Sequence, residues 1–249
     1  KAFDFLTQQF GVFYVAGASL TFAFLLYLAL SRHGNIRLGN SAPEFSTLSW
    51  AAMLFCGGIG TSVLYWGVVE WAYYFQAPPY GVTPQTSEAM LWSVSYPIFH
   101  WGLMGWSLYV LPGVAIAYSY YVRGARSLRL SDACEPVIGR QAQGALGRAI
   151  DLLFVVGLVG ACSIGIGLAV PLIGACVAHL LGVDRAALGF TLDIVVILVV
   201  TCIFAGSVWM GLEKGIKRLS DLNVLLAMLL LVLILVTGPT LFIVELGFE

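Results

Sequence analysis

Aromatic rings and one carboxyl group recur at helical spacing in a long apolar stretch of this sequence. Trp66, Glu70 and Tyr73 occupy positions i, i+4 and i+7, so a helix places them on one face. An ammonium group over an aromatic ring gains about 0.5–2 kcal/mol, which makes such a face suitable for an organic cation. Tryptophan and tyrosine at the end of a membrane span also form an interfacial belt, and the spacing leaves both interpretations open.

A second aromatic pair, Trp101 and Trp106, repeats this theme further along the chain. Its members are five positions apart, about 140° around a helix, with Gly102 and Gly105 between them. Small residues beside large rings leave room for a ligand against the ring faces. They are equally expected where two helices pack closely, so this pair also has two interpretations.

Two glycine-rich stretches lie inside apolar segments. In residues 57–62, three glycines fall within four positions and two hydroxyl residues follow. Each glycine costs a helix interior about 1 kcal/mol relative to alanine, so the pattern predicts a weakened helix whose backbone can serve a ligand or an ion. In residues 160–167, Ser163 is the one good oxygen ligand. Because hard cations need several oxygens, Ser163 is an ion ligand only together with carbonyl groups, and a hydrogen bond within its own helix is the alternative.

The composition excludes several function classes. Of 249 residues, 60% are hydrophobic and 10% are charged, whereas soluble domains carry about 25% charged residues. The chain is therefore predicted to be an integral protein of a lipid bilayer. A net charge of −1 without a long basic run argues against a nucleic-acid partner. Five scattered cysteines predict neither disulfides nor a metal site, and without a catalytic motif we expect no enzyme activity and no cofactor.

Six apolar runs have roughly the 20-residue length of a spanning helix. They cover about residues 10–31, 48–75, 91–121, 150–181, 188–210 and 224–244. The predicted fold class is all-α and polytopic, with one transmembrane domain over residues 1–249 and a short amphipathic connection at 213–223.

The distribution of lysine and arginine predicts the orientation. Ten basic residues fall in alternate connections: Arg32, Arg37, Arg123, Arg126, Arg129, Arg140, Arg148, Lys214, Lys217 and Arg218. By the positive-inside rule these connections, including 213–223, are cytoplasmic, and both ends of the chain face the periplasm or the exterior. Lys1 opens the sequence without an initiator methionine or a signal peptide, so we expect one further span before it.

Five motifs, taken in order, resemble those of the betaine/choline/carnitine transporter family (BCCT). They read SRHGNIRLG at 31–39, YWGVVE at 65–70, FHWG at 99–102, SIGIG at 163–167 and KGIKRLS at 214–220. Together with the first glycine stretch they cover essentially the whole chain. The resemblance implies a LeuT-type inverted-repeat fold of twelve spans, located in the inner (plasma) membrane as a homotrimer. This chain would hold the first five-span repeat and the span before it, and the second repeat would be missing.

The resemblance also implies roles for individual residues. The aromatic residues that would line the substrate path are Trp101, Trp106, Tyr73 and, as a neighbour, Trp66. In sodium-coupled members, carbonyl groups that match Cys56 and Ile59 help to hold an ion, and a sodium ion or a proton is the expected coupling ion. Threonines of a second sodium site are replaced here by Val156 and Gly160.

The function that follows is secondary transport by alternating access. The expected substrates are quaternary ammonium compounds, namely glycine betaine, choline or carnitine, whose cation is held by an aromatic box; symport for osmoprotection is typical of the family. The residues 70–74 with Pro78 and Pro79 look closer to carnitine-type members, which leaves a sodium-independent carnitine/butyrobetaine exchanger as an alternative. A channel or sensor without coupled transport is the alternative from another class.

Overall fold

The computed structural model describes the backbone of residues 2–248, and their side chains except those of residues 2–4, 6–8 and 59–64. Within those residues it is built of helices and turns without a strand. Five helical segments have the length and apolarity of membrane spans: Gln9–Leu30, Ser87–Tyr121, Ala145–Leu181, Arg185–Trp209 and Leu212–Thr237. A further helix, Thr47–Gln76, has 30 residues, and its described apolar part is Thr47–Gly58. The chain is therefore an all-helical polytopic membrane protein.

Nine α-helices are found in the described residues. They are α1 (Ala2–Leu30), α2 (Thr47–Gln76), α3 (Ser87–His100), α4 (Leu103–Tyr121), α5 (Leu130–Ile138), α6 (Ala145–Leu181), α7 (Arg185–Trp209), α8 (Lys217–Thr237) and α9 (Thr240–Phe248). Polar caps begin two of the long helices: the Ser46 hydroxyl accepts from Ser49 N–H before α2, and the Asp184 carboxylate accepts from Ala186 N–H before α7.

Two apolar runs differ from the expectation based on their length, and the structure adds detail to one connection. The run 91–121 is divided between α3 and α4, because the chain turns at Trp101 and Gly102. The run 224–244 ends as α8 at Thr237, where Gly238 takes an extended conformation before Pro239, which has no N–H to continue the helix. The connection 213–223 is helical: a π-helical turn, Leu212–Ile216, leads directly into α8.

Small side chains make the buried contacts. Among the described residues the buried apolar side chains are five alanines and two valines, and the buried polar ones are serines together with Glu70. Small residues let helix backbones approach closely, as is usual where helices meet in a bilayer. The large aliphatic side chains lie exposed on the helices, where lipid can solvate them.

The chain divides into two compact units. The first comprises Lys1–Ala42 and Ser95–Val159, in which α4 packs against both α1 and α5. Asp151 of α6 fixes the start of α5 here, since its carboxylate accepts from Ser131 N–H at 2.9 Å and from the Ser131 hydroxyl at 2.7 Å.

The second unit comprises Pro43–Val94 and Gly160–Glu249, in which α2 packs along α8. A polar cluster joins these two helices: the Asp221 carboxylate of α8 accepts from the Ser49 hydroxyl of α2 at 3.2 Å and from the Lys217 ammonium at 3.0 Å. The Cys56 thiol of α2 donates to the Ser220 carbonyl of α8 at 3.7 Å.

Candidate functional site

The aromatic face expected on α2 is present in the second unit. The rings of Trp66 and Tyr73 have centroids 6.1 Å apart and planes inclined at 50°. Tyr65 packs edge-on against Trp66 at 5.2 Å. Glu70, between the two rings in sequence, is buried with 6% of its surface exposed, whereas Tyr73 is 56% exposed. Helix α2 thus carries two adjoining rings, of which that of Tyr73 is exposed.

The second aromatic pair lies in the first unit, at the break between α3 and α4. Trp106 donates its indole N–H to the Trp101 carbonyl at 2.6 Å, so the second ring is fixed to the backbone of the break. Trp101 is outside both helices, and the expected separation of about 140° around one helix is therefore wrong.

The glycines beside this pair have a structural role that the sequence did not reveal. A Cβ atom at Gly102 would lie 2.5 Å from the Ile98 carbonyl oxygen, and one at Gly105 would lie 2.7 Å from the His100 carbonyl oxygen. Both contacts are too short for any side chain. These glycines allow α4 to begin directly against the end of α3, which accounts for them without a ligand.

The candidate ion ligands Cys56, Ile59 and Ser163 lie within continuous helices. α2 is helical across the first glycine stretch, and carbonyls in a helix interior accept from the N–H four residues later. The backbone of the first glycine stretch therefore has no opening in this structure, and the weakness of the helix there stays a prediction. The Cys56 thiol contacts α8, and the side chain of Ile59 lies outside the described residues. Ser163 has an exposed side chain on α6. The described residues contain no group of three or more His, Cys, Asp or Glu side chains that could hold a metal ion.

Comparison with known proteins identifies the family. Residues 1–249 match the family model of the betaine/carnitine/choline transporters (BCCT). The chain belongs to this family. It is 41% identical over 224 residues to the uncharacterized transporter YeaV of Escherichia coli, covering 90% of this chain and 46% of that protein. It is 38% identical over 228 residues to the carnitine transporter of Acinetobacter baumannii (92% and 41% covered). It is also 38% identical over 244 residues to the glycine betaine transporter OpuD of Bacillus subtilis (97% and 47% covered).

The BCCT chain spans about half the length of the curated relatives it matches. Its family consists of transporters, in agreement with the expectation that the chain is not an enzyme. The four candidate substrate residues lie as two pairs, Trp66 with Tyr73 in one unit and Trp101 with Trp106 in the other.

An ion pair in this BCCT chain was not anticipated from the sequence. Arg185 and Asp193 lie 2.5 Å apart near the start of α7, and the second Arg185 nitrogen donates to the Gly189 carbonyl at 3.0 Å. Gly189 has φ +51° and ψ −153°, which kinks α7 between the two charged residues. A Cβ atom at Gly174 of α6 would lie within 3.2 Å of both side chains, so the pair packs on bare backbone. The two charged residues are eight positions apart, and the kink at Gly189 lies between them, a feature that apolar periodicity does not predict.

Proposed function

We propose that the protein carries trimethylammonium compounds such as glycine betaine, choline or carnitine across the inner (plasma) membrane by alternating access. The family match over the whole chain supports transport, and the names of the similar carnitine and glycine betaine transporters support the substrate class. The observation that carries the proposal is the pair of adjoining rings, Trp66 and Tyr73, on α2.

The chemistry of the substrate favours rings over a carboxylate. A trimethylammonium group has no N–H, so it cannot donate a hydrogen bond and is attracted chiefly by the negative face of an aromatic ring within about 6 Å of its centroid. A fully desolvated ion pair with a buried carboxylate would hold the cation too strongly for release, because the attraction rises steeply in a low dielectric. In this proposal Glu70 therefore stays in the protein's own contacts, and the rings hold the cation.

The tryptophans at the break between α3 and α4 can likewise offer a cation the faces of their rings. The indole N–H of Trp106 is already donated to the Trp101 carbonyl, so what this side chain offers a substrate is its ring face. The same bond holds the ring in one orientation, which lowers the entropic cost of binding. We propose that Trp101 and Trp106 offer these ring faces to the substrate along its path.

Coupling and assembly follow the family in this proposal. Sodium or a proton drives symport, with carbonyl groups of Cys56 and Ile59 and the hydroxyl of Ser163 as candidate ion ligands. Because carbonyls inside a helix are engaged, this site requires α2 to open locally during the transport cycle. A LeuT-type fold, a homotrimer and chain ends on the periplasmic side belong to the same proposal.

Transport by the full-length natural protein in proteoliposomes tests the proposal. Labelled glycine betaine, choline and carnitine are supplied with and without an inward sodium gradient. Accumulation of at least one of them against its own gradient is expected, and the effect of sodium identifies the coupling. Failure to accumulate any of the three contradicts the substrate class.

Two variants and a control test the aromatic box. Trp101→Ala and Trp66→Ala are each expected to weaken substrate binding at least about fivefold, since each loses a cation–π contact worth about 1 kcal/mol. Trp71→Ala is the matched control, because this tryptophan is also on α2 but packs on Phe75, outside the pair formed by Trp66 and Tyr73. Unchanged substrate affinity in the first two variants contradicts the assignment of the box.

A further inference from the structure

Two cavities adjoin where α4 ends and α5 begins, and they differ in chemistry. One, of about 370 Å³, is polar and lined by Arg123, Arg126 and Arg129 among others. The other, also of about 370 Å³, is lined mainly by Ala115, Tyr118, Ala133 and Pro136. Arg123 and Ser119 line both cavities. A polar chamber and an apolar groove therefore share part of their wall, and Arg123 belongs to both linings.

The three arginines have their charge available to a ligand. In the part of the chain that the structure describes, none of them forms an ion pair within 4 Å. Asp132, an acid in the same lining, accepts from the Ser127 hydroxyl and from the Gln143 amide at 3.1 Å, so its oxygens are engaged by neutral donors. With Glu135 as the second acid, the polar chamber keeps an excess of positive charge.

The surroundings of the cavities are those of a membrane interface. α4 ends in Tyr118, Tyr120 and Tyr121, which are 40%, 39% and 57% exposed. Tyrosines at the end of a span lie at the level of the lipid headgroups. Two apolar residues that adjoin lining residues in sequence, Leu128 and Val137, are 63% and 89% exposed. Such exposure is favourable next to acyl chains and unfavourable in water.

We propose that these adjoining cavities bind one anionic phospholipid, with its phosphate at Arg123, Arg126 and Arg129 and the start of an acyl chain along the apolar groove. Guanidinium groups match phosphate oxygens in charge and geometry. The apolar groove gives the site a reason to prefer a lipid over a soluble phosphate ester, because a soluble ester would leave the groove in contact with water. Basic pockets between helices at the membrane surface are a known form of lipid recognition.

A lipid titration of the purified full-length natural protein tests this site. Fluorescent phosphatidylglycerol is titrated into detergent-solubilised protein, with phosphatidylcholine as the uncharged reference. Each arginine near an anionic lipid contributes about a fivefold factor, so R123Q/R126Q/R129Q should bind phosphatidylglycerol about 100-fold more weakly. The matched control is R37Q/R140Q/R148Q, which removes the same charge from exposed arginines outside both cavities and should bind within about twofold of the unchanged protein. Equal loss in both triple variants, or equal binding of phosphatidylcholine, overturns the proposal.

Two further measurements distinguish a lipid from a soluble anion. Ala133→Phe fills the apolar groove without a change of charge, and it should weaken phosphatidylglycerol binding at least about tenfold. Inorganic phosphate and glycerol 3-phosphate should displace the lipid poorly from the unchanged protein. Displacement by millimolar phosphate together with full lipid binding in Ala133→Phe would assign the chamber to soluble phosphates and overturn the lipid site. Should the triple variant fail to elute as folded protein, Arg126→Gln alone carries the test, with an expected loss of about fivefold.

Discussion

Replacing Gly105 by alanine is expected to separate α3 from α4 and to weaken substrate binding. The added Cβ would lie 2.7 Å from the His100 carbonyl oxygen, whereas ordinary contact begins at 3.4 Å. The two helix ends must therefore move apart by about 0.7 Å, because atoms repel steeply below contact distance. The hydrogen bond from Trp106 to the Trp101 carbonyl, now 2.6 Å, spans the same break and is expected to lengthen or be lost.

The change in the free energy of unfolding combines two destabilising contributions and one stabilising contribution. Loss of a hydrogen bond costs about 0.5–1.5 kcal/mol, and displacement of the backbone adds strain. Alanine in place of glycine in a helix gains about 0.5–1 kcal/mol. A Cβ atom added at Gly113, on the same helix, would have no other atom within 4 Å. Gly113→Ala therefore measures the gain in helix stability without a steric conflict. Gly105→Ala should thus be less stable than Gly113→Ala by about 1–2 kcal/mol.

Two measurements on the full-length natural protein check this. The free energy of unfolding is compared between the variants by denaturant titration, and the dissociation constant of the transported substrate is measured by tryptophan fluorescence. Binding by Gly105→Ala should be about five- to tenfold weaker than binding by Gly113→Ala, since the orientation of one or two rings is lost. If the two variants share both quantities, the glycine at 105 does not hold the break closed and the reasoning fails.

Two other predictions concern charge and backbone in the second unit. Arg185→Gln should destabilise the protein by about 1–3 kcal/mol, because it leaves the Asp193 carboxylate partly buried without its partner; adding Asp193→Asn should recover most of that free energy, and a double variant no more stable than the single one contradicts the ion-pair argument. Gly215→Ala places a Cβ against the Ser207 carbonyl oxygen, closer than real contacts allow, and should sharply reduce the yield of folded protein in size-exclusion chromatography, whereas Gly206→Ala, with open space around its Cβ, should not; equal yields would show that the turn before α8 tolerates a side chain.

The lengths of the apolar runs predicted where helices form, because the length of such a run depends on composition alone. The first run, expected at 10–31, corresponds to the apolar segment Gln9–Leu30. The break between α3 and α4 was not predicted, since it depends on how closely carbonyl oxygens approach Gly102 and Gly105. Glycine in a sequence is compatible with a close approach, a turn or an open cavity, and only the distances distinguish these.

The candidate site was predictable to the level of one helix face. The i, i+7 spacing of Trp66 and Tyr73 sufficed to bring their rings together, because it depends on helical geometry alone. Local irregularities of the backbone were not accessible in this way. Arg185 and Asp193 form their ion pair across the kink at Gly189, which helical periodicity does not predict. The glycines of residues 57–60 predicted a weak helix, and α2 runs through them without a break.

The polar cluster between α2 and α8 bears on how the chain is made. Ser49 and Asp221 are separated by 172 positions, and at about 5–20 residues per second a ribosome needs roughly 10–30 s to cover that distance. During this interval α2 is in the membrane without the helix on which it packs, while α3 to α7 are synthesised. Its hydroxyl and thiol groups must meanwhile be satisfied within α2 itself, by the insertion machinery or by lipid headgroups. A ribosome that pauses between these two helices prolongs that state, so the rate of elongation through α3 to α7 sets how long the nascent protein is open to proteolysis.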